Sequence, residues 1–210
     1  MNPERKMNDR QAVNRSRAKL LLLLAVFLLP IVAAYVIHKN PEWMPKSTKN
    51  YGVLYKPTIN LKSFTMQTVD GKAFDLDKLR GKWSLIYIGA GSCDRACEET
   101  LIKARDARWG QGTEAGRINY YYVLDADKFT GDLSKLEKNY PGMIFLHGDE
   151  QQRMQLLQQF QVDKNQQPGS DNRLYLVDPA GVLLMHYPYG FRHIGLMEDL
   201  KYLLKWSQLG

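Results

Sequence analysis

The chain contains two cysteines, and both lie in one short stretch, GAGSCDRACEE at positions 89–99. Three residues separate Cys93 from Cys97, so on a helix the two side chains would stand one turn apart on the same face. Two thiols at this spacing suit a structural disulfide, a redox pair or a clamp for a soft metal ion such as Cu(I). A disulfide that closes so short a loop adds little stability in the chain-entropy model. The spacing therefore favours a reactive pair.

The residues around the cysteines predict a corner between a strand and a helix. Trp83–Ile88 (WSLIYI) is an apolar run typical of a strand that is buried on both faces. A turn of small residues follows, and the apolar spacing of 97–109 indicates a helix. Backbone N–H groups at a helix start stabilise a thiolate and lower its pKa. We therefore predict Cys93 as the attacking thiolate and Cys97 as the resolving thiol of a redox pair.

The rest of the chain alternates strands and helices. Asp70-Gly71 between 64–68 and 73–74 predicts a β-hairpin. This order is typical of an α/β domain with a mixed central sheet, here of about five strands, and helices on both faces. Further strands are predicted at 118–124, 143–146, 174–177 and 182–186, and further helices at 133–138, 150–160 and 194–206.

The N-terminal segment has the pattern of a membrane anchor. Residues 1–19 hold six basic and two acidic residues, and the next 18 residues, at 20–37, carry no charge. Such a length is just enough to span a bilayer core, and the basic flank predicts a cytoplasmic N-terminus. The predicted organisation is a basic cytoplasmic tail at 1–19, one transmembrane helix at 20–38, a linker at 39–57 and a folded domain at 58–210.

This topology places the folded domain in the periplasm, tethered to the inner membrane as a single-pass protein. That compartment is oxidising, so two cysteines there can pair. The chain has 29 basic and 22 acidic residues, of which 23 and 20 lie after residue 19. The positive charge is thus concentrated in the tail, and we expect the lipid bilayer as a partner and no nucleic acid.

Two stretches, GKWSLIYIGAGSCDRACEETL at 81–101 and LYLVDPAG at 174–181, resemble the Sco/SenC family. Its members are membrane-anchored proteins of thioredoxin-like fold that deliver copper to the CuA site of cytochrome c oxidase. The resemblance spans roughly 55–207. It implies a thioredoxin-like three-layer domain, copper as the ligand, and an oxidase subunit or its assembly factors as partners. In the family a CxxxC motif and a distant histidine bind copper, and Cys93 and Cys97 match the two cysteines.

The chain departs from the family pattern at three positions. Asp94 and Glu98 stand where family members usually have prolines, and Ser170 stands where the family histidine would be. The resemblance therefore indicates a divergent member that lacks the family histidine. His193, which precedes the predicted last helix, is the remaining candidate for a third copper ligand beside Cys93 and Cys97.

Three hypotheses for the function follow. The first is a membrane-anchored Sco-like protein that assists assembly of the oxidase copper centre through Cys93 and Cys97. The second is a periplasmic thiol–disulfide oxidoreductase without bound metal, in which the same two residues are the catalytic pair. The third is a non-catalytic assembly scaffold.

Overall fold

The computed structural model describes residues 3–40, 50–89, 91–125, 127, 129–161 and 168–207. The chain divides into two units, Met1–Lys49 and Asn50–Gly210. Helix α1, Pro3–Lys39, makes up the described part of the first unit. By length and composition alone, its segment Lys19–Lys39 could cross a membrane. A signal sequence near an N-terminus meets the same criterion. The segment's side chains are exposed within this structure, and so α1 is a candidate membrane anchor.

The second unit is built on an eight-stranded sheet with the order β1-β8-β7-β4-β5-β6-β2-β3. The pairs β4–β5 and β5–β6 are parallel, and the other pairs are antiparallel, so the predicted mixed sheet is confirmed. The strands are β1 Val53–Asn60, β2 Thr65–Thr68, β3 Ala73–Asp75, β4 Trp83–Ile88, β5 Ile118–Val123, β6 Ile144–His147, β7 Leu174–Val177 and β8 Val182–Tyr187. The helices are α2 Leu76–Leu79, α3 Arg95–Trp109, α4 Leu133–Asn139, α5 Glu150–Leu157 and α6 His193–Trp206, with 3₁₀ helices at Gly112–Arg117 and Gln158–Phe160.

Helices cover both faces of the sheet and bury a hydrophobic cluster on each. One cluster joins side chains of β4 and β5 to α3, α4 and α6. The other joins β4 and β5 to α2 and α5. Successive strand residues point to opposite faces, so Tyr122 lies in the first cluster and Tyr121 in the second. The three-layer α/β fold is therefore confirmed.

The sheet has more strands than the predicted five, and it begins earlier in the chain. Strand β1 starts at Val53, inside the predicted linker 39–57 and five residues before the predicted domain start at Thr58. It is an edge strand that pairs with β8, and all of its residues are half-buried or exposed. An edge strand lacks the apolar run of a central strand, so its sequence gave no strand signal. The predicted hairpin is confirmed as β2–β3, and it extends the sheet at the other edge.

Candidate functional site

The two cysteines lie directly after the central strand β4, and their sulfurs form a disulfide with Cα atoms 5.2 Å apart. Cys93 stands in the turn, and Cys97 is in the first turn of α3. Asp94 is the N-cap residue of α3, and its carboxylate accepts the backbone N–H of Cys97 at 2.9 Å. Helix α3 thus begins two residues after Cys93, and Asp94, not Cys93, caps it.

The two sulfurs differ in their access to solvent. Cys97 is 2% exposed and belongs to the hydrophobic cluster under α3. Cys93 is half-buried and packs against the edge of that cluster. A thiol in solution therefore reaches Cys93 before it reaches Cys97.

One buried tyrosine, Tyr122, faces the disulfide, and a second, Tyr87, packs against it. The hydroxyl of Tyr122 lies 3.9 Å from Cys97 Sγ, and it is the donor because a disulfide sulfur carries no proton. The Tyr122 ring packs edge-on against Tyr87 with centroids 5.1 Å apart, and the Tyr87 hydroxyl donates to Asn172 Oδ1. Burial raises the pKa of both tyrosines, so both stay protonated in the physiological range. Sequence reasoning missed Tyr122, because three consecutive tyrosines on a strand do not reveal which one faces the cysteines.

The segment before β7 lies against the end of β4 that carries the cysteine turn. Gly169 is so close that a Cβ there would meet Ile88 at 3.1 Å. The backbone carbonyl of Asn172 accepts the hydroxyl of Thr100 from α3 at 3.3 Å. Ser170, at the position of the family histidine, is therefore in a segment that borders the site, and its side chain is exposed.

Two histidines of the second unit, one on α6 and one on β8, differ in burial. His193 is exposed and is the first residue of α6, whereas we predicted it to lie in the loop before that helix. His186 is buried in β8, where its ring packs against Tyr55 and Tyr175. Burial, with the nearby charge of Arg173, lowers the pKa of His186 to about 4.

Copper is the ligand that the sequence resemblance implies. The site offers two suitable donors for it but no third ligand of the usual types among the described residues. Two thiolates of a reduced Cys93/Cys97 pair are soft donors that suit Cu(I). Within the described residues, no group of three or more His, Cys, Asp or Glu side chains could hold a metal ion. His193 is thus not gathered with the cysteines into such a group. The residues present support a two-thiolate site without a third ligand of these types.

Comparison with known proteins agrees with this fold. The family model "transmembrane-like, thioredoxin-like, C-terminal domain" matches residues 83–207. The chain belongs to this thioredoxin-like family. The match covers the cysteine corner and every later element of the sheet.

Relatives of this thioredoxin-like chain carry Sco names. A SCO2-like protein of Rickettsia typhi is 24% identical over 194 residues, which is 86% of this chain and 96% of that protein. Copper-bound ScoI of Arabidopsis thaliana aligns with a TM-score of 0.58 at 20% identity, over 70% of this chain and 98% of ScoI. BsSco, a Sco-family cytochrome c oxidase assembly protein with an identified disulfide switch, aligns with a TM-score of 0.56 at 22% identity, over 71% and 96%. The predicted Sco/SenC relationship is confirmed.

Proposed function

We propose that this protein is a membrane-anchored, Sco-like factor that assists assembly of the copper centre of a cytochrome c oxidase through the dithiol of Cys93 and Cys97. The observation that carries this proposal is the paired cysteines at the β4–α3 corner, with one sulfur reachable and the other buried. The Sco relatives, among them a copper-bound protein and an oxidase assembly protein, support the same role.

The chemistry proceeds in balanced thiol–disulfide steps. A partner thiolate attacks Cys93 Sγ, the S–S bond breaks, and its electron pair leaves with the Cys97 sulfur. The mixed disulfide at Cys93 is then resolved by a second thiol of the partner, which becomes oxidised while the Cys93/Cys97 pair becomes reduced. The reduced pair offers two thiolates to Cu(I), which passes to the oxidase subunit or its assembly factors.

The location follows from the N-terminal helix. Lys19–Lys39 would anchor the chain in the inner membrane, with the basic segment 1–19 in the cytoplasm and the thioredoxin-like domain in the periplasm. In this proposal the linker ends before β1, which begins at Val53. The lipid bilayer is then a constant partner of this protein.

Cu(I) titration tests the copper step. The reduced full chain in detergent competes with a Cu(I) chelator, and the Cys93→Ser/Cys97→Ser double variant is the matched control. We expect the wild type to take Cu(I) from the chelator and the double variant to take none, because serine hydroxyls are poor ligands for a soft ion. Equal retention of Cu(I) by the chelator with both proteins would refute the metal role.

Complementation in cells separates the remaining hypotheses. In cells that lack this protein, we expect the double variant to fail to restore the copper content of the oxidase. Both disulfide exchange and Cu(I) binding need the sulfurs of Cys93 and Cys97. Full restoration by the double variant would instead indicate the non-catalytic scaffold. A wild-type protein that exchanges with glutathione but binds no Cu(I) would indicate the metal-free oxidoreductase.

A further inference from the structure

Cys97 must accept negative charge in an unfavourable place. When the disulfide opens, the electron pair goes to the Cys97 sulfur, which lies in the hydrophobic cluster at 2% exposure. A buried anion is costly unless a donor faces it. The backbone N–H of Cys97 already donates to the side chain of its N-cap residue, Asp94.

The charged groups around the sulfur do not relieve this cost. Asp94 is the N-cap residue of α3 and accepts the backbone N–H of Cys97, so its negative charge lies next to this region. On α3, Glu98 follows Cys97 directly, and its side chain is exposed. Asp171, in the segment before β7, adds to the rise in the pKa of Tyr87. The carboxylate of Asp171 is paired with Arg173, whereas that of Asp94, at the start of α3, opposes a thiolate at Cys97.

The packing around Tyr122 holds its hydroxyl next to the Cys97 sulfur. The hydroxyl lies 3.9 Å from Cys97 Sγ, while the ring is 1% exposed and is held between Tyr87 and Phe145. On its other side is Gly89, where a Cβ would come within 2.5 Å of the Tyr122 hydroxyl oxygen. The residue at 89 must therefore be glycine for the Tyr122 hydroxyl to occupy this position.

We propose that Tyr122 is the hydrogen-bond donor that stabilises the Cys97 sulfur as a leaving thiolate during disulfide opening and as a thiolate in the reduced pair. This inference rests on the proposed dithiol function and extends it to a residue outside the CxxxC motif. The ring fixes the position of the hydroxyl, and the hydroxyl supplies the proton that the buried sulfur shares.

The test removes only this hydroxyl, with Tyr122→Phe in the full chain, and uses Tyr121→Phe as the matched control. Tyr121 is equally buried on the same strand but faces the opposite cluster, where its hydroxyl accepts from Asn119. A hydrogen bond to a charged group is worth roughly one order of magnitude in an equilibrium constant. We expect Tyr122→Phe to slow opening of the disulfide by excess glutathione about fivefold to tenfold, and Tyr121→Phe to leave the rate unchanged.

A second readout keeps the test independent of glutathione exchange. In a Cys93→Ser background, the ultraviolet absorbance of the thiolate reports the pKa of Cys97 alone. We expect Tyr122→Phe to raise that pKa by about one unit. An unchanged pKa, or equal opening rates for the two tyrosine variants, would overturn the role of Tyr122. A wild-type disulfide that glutathione never opens would count against the exchange chemistry instead, while the Cys97 titration would still decide the role of Tyr122.

Discussion

Asp199 on the last helix accepts hydrogen bonds from the first residues of the second unit. It is 5% exposed on α6, and its carboxylate accepts the backbone N–H groups of Tyr51 at 3.0 Å and Gly52 at 2.9 Å. The hydroxyl of Tyr187 on β8 donates to the same carboxylate at 2.8 Å. Three donors from two separate parts of the chain thus converge on one buried group. We predict that Asp199→Asn destabilises the domain and loosens the start of β1.

The magnitude follows from these contacts. Asparagine keeps the shape but loses the charge, and its NH₂ group turns one acceptor into a donor that faces other donors. Hydrogen bonds to a charged group contribute about 1.5–3 kcal/mol each, and an uncompensated buried group adds to the loss. The hydroxyl of Tyr187 also contacts Met185 Sδ at 3.2 Å, which partly compensates for its lost acceptor. We therefore expect the free energy of unfolding to fall by about 3 kcal/mol.

Two measurements on the full chain in detergent check this prediction. Denaturant titration gives the free energy of unfolding, and hydrogen exchange reports the protection of the Tyr51 and Gly52 amides. Asp77→Asn is the control, because that side chain is 84% exposed and a surface substitution changes stability by about 0.5 kcal/mol or less. If Asp199→Asn costs no more than the control and both amides stay protected, the argument from converging donors is wrong.

Two further predictions concern a close contact and a buried histidine. Gly89→Ala places a methyl group 2.5 Å from the Tyr122 hydroxyl. We expect the free energy of unfolding, measured by denaturant titration, to fall by about 1–3 kcal/mol and the pKa of Cys97 to rise. Gly116→Ala is the control and should be neutral, because a Cβ at Gly116 meets open space. His186 has its pKa lowered from 6.5 to about 4, so the unfolded chain takes up a proton first as the pH falls. The titration of His186 therefore leaves the free energy of unfolding unchanged above pH 6.5. Between pH 6.5 and pH 4 it lowers that free energy by at most about 1.4 kcal/mol per pH unit. The difference in unfolding free energy between wild type and His186→Gln should shrink over this range; a constant difference would contradict the assignment.

The sequence by itself determined the features that depend on neighbouring residues. The uncharged run at 20–37 forms part of one helix, the apolar run Trp83–Ile88 is the central strand, and the Asp70-Gly71 turn joins β2 to β3. Each of these signals is local: a period, a run length or a turn residue that needs a positive φ, as Gly71 has. The placement of Cys93 and Cys97 at the β4–α3 corner is predictable for the same reason.

Tertiary structure alone decided which distant residues meet. Strand β1 joins the sheet through β8, more than a hundred residues later in the chain, although its own sequence has no strand period. The parallel register of β4 and β5 pairs Tyr87 with Tyr122 and so turns the Tyr122 hydroxyl towards Cys97. A shift of one residue would turn Tyr121 to that face instead. Strand register depends on the packing of the whole sheet, and no pattern within β5 specifies it.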